Sequence, residues 1–173
     1  VLEADRRVRS NVTIFASGAE LRADGDVSLA AERRAQLKYR LQLTDLAPWL
    51  GLIGQRGGGS LNISGQTDGR LDRLRTQDRI RFTALSYGTN YVGCGDASIE
   101  MREVGQPHMH GNVALAMHQV QAGVRLKAAN LTASLEQFRP ITVAAMSVRT
   151  EDERTLTNHI EVAVRKGPAR TEA

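Results

Sequence analysis

Apolar and polar residues alternate at period two in segment after segment of this chain. Leu37, Tyr39, Leu41 and Leu43 stand against Lys38, Arg40 and Gln42. Leu61 and Ile63 stand against Ser60, Asn62 and Ser64, and Val113, Leu115 and Met117 against Asn112 and His118. Successive side chains of a strand leave on opposite sides, so each segment has one apolar and one polar face. A run of such strands joined by short turns predicts an antiparallel meander whose apolar faces all point one way.

The pattern predicts roughly a dozen strands at the spacing of all-β chains. They fall at 11–16, 27–31, 36–43, 60–64, 69–75, 79–85, 90–92, 97–102, 111–118, 123–128, 130–136, 141–148 and 158–165. Asp24-Gly25 is a hairpin signal, because the pair supplies the positive φ of a tight turn. Further turns are expected at Gly65, Asp68-Gly69, Tyr87-Gly88, Gly105-Gln106-Pro107 and Glu151-Asp152, and 55–59 ("QRGGG") reads as a flexible connection. One segment changes period. Leu46, Trp49, Leu50 and Ile53 recur at spacings of three and four. Thr44 or Asp45 can cap the start, Pro48 falls in the first turn and Gly54 can end it. A short amphipathic helix results, with Trp49 plugging one edge of the apolar interior.

At 173 residues the chain is one domain or one piece of a longer repetitive chain. Residues 1–166 read as a single β segment and 167–173 as a frayed polar tail. Aromatic residues are only 4%, which argues against a stacking platform for bases. The net charge is +4, carried almost wholly by arginine; the only lysines are Lys38, Lys127 and Lys166. The arginines are scattered, and the densest stretch, 70–81, alternates with Asp68, Asp72 and Asp78. This reads as a solvated mixed-charge surface ahead of a lipid-headgroup contact, and nucleic acid is not expected as a partner.

The chemistry of catalysis is not legible in the chain, and no enzyme activity or cofactor is expected. There is no H-E-x-x-H, C-x-x-C or G-x-S-x-G, and "GQRGGGS" lacks the Gly-Lys-Ser/Thr that cradles phosphate. The single cysteine, Cys94, lies between glycines with no His or Lys near it in sequence, so it reads as an inert thiol. His108 and His110 are two apart and His118 lies on the next strand, but no carboxylate or thiol completes a metal site, so none is expected. Asp24, Asp26, Asp68 and Asp72 read as turn and flank residues, not as a carboxylate pair for glycoside hydrolysis. The Asn-x-Ser/Thr triplets at Asn11, Asn62 and Asn130 follow from polar alternation. No signal peptide and no apolar run long enough to cross a bilayer is present, and the chain reads as an internal segment of something longer.

From Leu37 to Gly88 the order of elements becomes distinctive. A strand, Leu37–Leu43, leads to Asp45-Leu46-Ala47 and a short helix. Spaced glycines and leucines follow at Gly59, Leu61, Gly65, Gly69, Leu71 and Leu74, and a strand ends in Leu85-Ser86-Tyr87-Gly88. The stretch "GQPHMHGNVALAMHQVQAGVRLKAANLTASL" continues in the same style. This order resembles the TamB group of the AsmA-like superfamily over about Ser10 to Val164. Cys94 between two glycines and the run Gly57-Gly58-Gly59 depart from that pattern.

The resemblance implies a long antiparallel sheet curled into an open U-shaped groove. It also implies a place in the periplasmic part of an inner-membrane-anchored protein of a double-membraned bacterium. There the protein would bridge the two membranes and move phospholipid, with flanking repeats of the same chain and an outer-membrane protein as partners. The groove lining would be Leu37, Tyr39, Leu41, Leu43, Leu61, Ile63, Ile80, Phe82, Ile99, Met101, Val113, Leu115, Met117, Val124, Leu126, Leu131, Leu135, Ile141, Val143, Ile160, Val162 and Val164. Leu46, Trp49, Leu50 and Ile53 would form a helix at its edge. Two other readings stay open at this point. The same face and edges could hold nascent outer-membrane or autotransporter strands by strand addition. The apolar face could also be the core of a closed β-barrel or sandwich, although few aromatics are present to fill one.

Overall fold

The computed structural model describes residues 7–28, 33–136, 139–150 and 154–160, and the side chains of 7–28, 33–134, 147–150 and 154–155. Ten strands follow one another in chain order: β1 (Arg7–Ala16), β2 (Ala19–Ser28), β3 (Arg34–Leu43), β4 (Gly57–Arg70), β5 (Arg73–Tyr87), β6 (Asn90–Val104), β7 (His110–Ala122), β8 (Val124–Glu136), β9 (Arg139–Thr150) and β10 (Thr155–Ile160). One helix, α1 (Ala47–Leu52), lies between β3 and β4. The strands form one sheet in the order β1-β2-β3-β4-β5-β6-β7-β8-β9-β10, and every pair is antiparallel.

The sheet is open. β1 and β10 each pair with one neighbour only, and no second sheet covers either face among the described residues. The closed barrel or sandwich is therefore not the fold. Burial agrees: among the described residues the covered apolar side chains are Phe82, Ala97, Val120 and Ala129, and none is fully buried. All four lie on the central strands β5 to β8, where each face has neighbours on both sides.

The strands are fewer and longer than alternation alone suggests. Asp24 and Gly25 sit inside β2, and the β1–β2 turn is at Ser17-Gly18, with Gly18 at φ +75°. Gly65 and Asp68-Gly69 lie inside β4, which turns at Leu71-Asp72. Gly57, Gly58 and Gly59 begin that strand and are not a loose connection. The expected strands at 90–92 and 97–102 are one strand, as are those at 123–128 and 130–136. The turns at Gly88 and Gly105 stand where the sequence puts them. Leu29, Ala31, Glu151, Asp152, Val162, Val164 and the tail 167–173 lie outside the described residues.

The in-strand glycines have a common cause. Gly65 is the direct partner of Tyr39, and a Cβ built on Gly65 would strike the Tyr39 ring. Gly95 is the direct partner of Phe82 and would strike its ring in the same way. Gly111 opposes Met101, whose sulfur occupies the corresponding space. A large side chain thus lies flat across the strand beside it, and only a residue without a Cβ leaves room.

The helix is short because its signals are close together. Asp45 Oδ1 accepts the Ala47 N–H at 2.8 Å, Pro48 occupies the first turn, and the Gly54 and Gln55 N–H groups close back on Gly51 and Leu50 at 3.1 and 2.9 Å. Gly54 takes φ +69° just beyond the last turn.

Candidate functional site

The register assembles the alternating segments into rows that run across the sheet. Ile14, Leu21, Leu41, Ile63, Ile80, Ala97, Leu115 and Leu131 are successive direct partners from β1 to β8. The adjacent row is Ala16, Ala19, Leu43, Leu61, Phe82, Gly95, Met117, Ala129 and Val148. Direct partners share a face, so these rows form one continuous aliphatic floor without a charge. Most of its side chains are half-covered, and none is sealed by a second layer.

A third row continues this floor past a defect. Phe82 and Leu85 are three apart, as are Val92 and Gly95, Met117 and Val120, and Leu126 and Ala129. Period two would put the second member of each pair on the wrong side. Ala84 and Gln119, at φ +52° and +56°, restore the parity, and register shifts at Gly58/Ser60 and Leu126/Ala128 absorb the extra residues. Exposed pairs, Thr83-Ala84 and His118-Gln119, separate the covered residues on either side. Leu85, Val92, Val120 and Leu126 are successive direct partners. Near that row α1 caps an apolar cavity of about 320 Å³ lined by Leu46, Leu50, Gly58, Leu85, Tyr91 and Val92.

Most expected lining residues with described side chains fall in these rows. Leu37 and Met101 lie one row beyond Tyr39, Ile99 and Val113. Two stand apart. Ile53 follows the end of α1 and is 69% exposed, because the helix closes before a fourth apolar position can reach the sheet. Val124 is 59% exposed at the tip of the β7–β8 hairpin, where only Ala122 opposes it. Trp49 is half-covered and its indole Nε1 is shielded with no hydrogen-bond partner. The side chains of Leu135, Ile141, Val143 and Ile160 lie outside the described residues.

One residue of the floor is absent from the sequence reading. Asp78 shares its row with Val12, Ala23, Tyr39, Gly65, Ile99 and Val113, and so stands on the apolar face, not on the mixed-charge surface. The Tyr39 hydroxyl donates to Asp78 Oδ1 across Gly65, and Thr76 Oγ1 donates to Asp78 Oδ2 at 3.3 Å. Thr67 and Thr76 join through their hydroxyls at 3.2 Å. Burial of the ring raises the Tyr39 pKa above the usual phenol value of 10.0, and the bond to Asp78 raises it further, against a smaller opposing effect of Thr76. The signal was in the parity: Asp78 is two residues from Ile80 and four from Phe82.

The opposite face is polar. Glu100 accepts from Arg75 at 2.8 Å and Arg102 at 3.0 Å, and Arg102 followed by Arg75 holds its carboxyl below the usual range. A depression of about 660 Å³ on this face is lined by groups such as Lys38, Gln66, Gln77, Arg79 and Asn112. Cys94 stands directly opposite His118 there, a neighbour that linear spacing does not show. His108 pairs with Glu103 at 2.8 Å. Among the described residues no group of three His, Cys, Asp or Glu could hold a metal ion, and no helix is long and apolar enough to cross a membrane.

Compared with family models, curated proteins and solved structures, the chain has no match.

Proposed function

We propose that the chain is one section of a TamB/AsmA-like bridge, and that its apolar face shelters phospholipid acyl chains passing between inner and outer membrane. The supporting observation is an aliphatic floor, with two adjacent rows free of charge across eight strands, on a sheet with no second layer among the described residues. Aliphatic chains need a continuous dry surface and no directional contacts. Each methylene removed from water contributes about 0.8 kcal/mol. Ten strands at ~4.8 Å spacing, each up to fifteen residues long, give a surface of about 45 Å by 50 Å. The role is binding and conduction, with no catalytic residue.

The test is detergent-free purification, solvent extraction and mass spectrometry of what co-purifies. Phospholipid bound to the native chain and to Arg125→Asp, but lost from a folded Leu115→Asp, is the expected result. Equal lipid in both variants, or none in the native chain, overturns the reading. A second reading rests on β1, whose ten residues are all exposed and which pairs only with β2. An edge of that kind is a template for strand addition. It predicts cross-linking of β1, not of Leu115, to unfolded outer-membrane polypeptides.

A further inference from the structure

We infer that Asp78 is a recognition site for a primary ammonium group on an amphiphile whose single aliphatic chain lies along β5. This rests on the sheltering role proposed above and adds a headgroup preference to it. Asp78 is the carboxylate of the apolar face, and no cationic side chain pairs with it among the described residues. Arg79 and Arg81, its neighbours in sequence, leave on the other face. Its two oxygens each accept one hydroxyl hydrogen bond, from Tyr39 and Thr76. A carboxylate has about four acceptor sites, so capacity is left for an N–H donor. A negative charge on half-covered apolar ground is costly without a cation, and the ligand would supply that cation.

The surroundings give the rest of the ligand. Ile80 and Phe82 continue from Asp78 along the same face, and Leu85 opens on the apolar cavity under α1. The seven steps from Asp78 to Leu85 span about 23 Å, a path with a charged end and an aliphatic end. In the other direction Thr67 and Thr76 make the floor polar, so the head has solvated ground and the chain does not.

The experiment measures binding of decylammonium, decyltrimethylammonium and decyl sulfate, each below its micellar concentration, to the native chain, Asp78→Asn and Tyr39→Phe. The native chain should bind decylammonium about tenfold tighter than decyl sulfate, although its net charge of +4 favours the anion. The trimethylated probe should fall between, since it cannot donate. Asp78→Asn keeps the shape and should abolish the preference, whereas Tyr39→Phe should retain it. Equal binding of all three probes overturns the ammonium site and leaves the sheltering role standing. So does a preference that survives in Asp78→Asn. Binding of no alkyl probe overturns both.

Discussion

Strands β1 and β5 carry the same alternation and meet different fates. On β1, Val12 and Ile14 occupy the apolar positions of their rows, yet Ile14 remains 51% exposed. On β5, Phe82 occupies an equivalent position and is 8% exposed. The rows of Ile14 and Phe82 are both apolar from end to end. The difference is lateral: Phe82 lies between Leu61 and Gly95, with the ring spread over the glycine, and β1 has one neighbour. In a one-layer sheet, burial comes from side chains lying across adjacent strands, so the middle is covered and the margin is not.

Substitutions can break that comparison. Phe82→Ala should cost about 3 kcal/mol, because the large covered ring leaves a hole that a one-layer sheet cannot fill. Ile14→Ala should cost less than about 1 kcal/mol, since half of the side chain is already in water. Equal shifts of the urea midpoint in the two variants would refute the lateral account. Gly95→Ala should cost about 2 kcal/mol by forcing the Phe82 ring off its neighbour. In Phe82→Leu the same glycine change should cost less, a coupling that a double-mutant cycle reads directly.

Smaller effects sharpen the same picture. Ala84→Gly should stabilise by about 0.5 kcal/mol, because Ala84 holds φ +52° and glycine accepts that conformation without strain. The smallest effect is one of pH. Tyr39 is protonated in its bond to Asp78 and its pKa is raised on folding. The stability this contributes is fully present below pH 10 and is lost as pH rises through the folded value. The native chain should therefore lose more stability than Tyr39→Phe on alkaline titration, measured by thermal midpoint.

Which side of each strand is apolar was readable wherever alternation was regular, as at Leu37 to Leu43. Strand ends were not. Gly25 and Gly65 look like turn residues locally, and only Leu37 and Tyr39 on the neighbouring strand explain them as in-strand positions. No window around Gly65 contains Tyr39. Leu85 and Val120 escaped for a related reason: strict period two assigns them to the polar side, and the left-handed residues that rescue them are an alanine and a glutamine. Asp78 was hidden by its charged neighbours, since Arg79 and Arg81 make the stretch read as surface although alternation puts the acid on the other face.

The irregular positions Gly59, Ala84, Gln119 and Lys127, with Gly93 against the Gln119 side chain, fall in one line across the sheet. A strand of pure alternation can slide two residues past its neighbour and still present the correct face, so an open meander is free to settle in several alignments. Adjacent strands whose irregularities sit side by side lose that freedom. A slip of two would separate each defect from its match, leave backbone groups unpaired on both strands and send Leu85 or Val120 to the water side. The defects act as a row of keyed teeth, and one alignment fits them all.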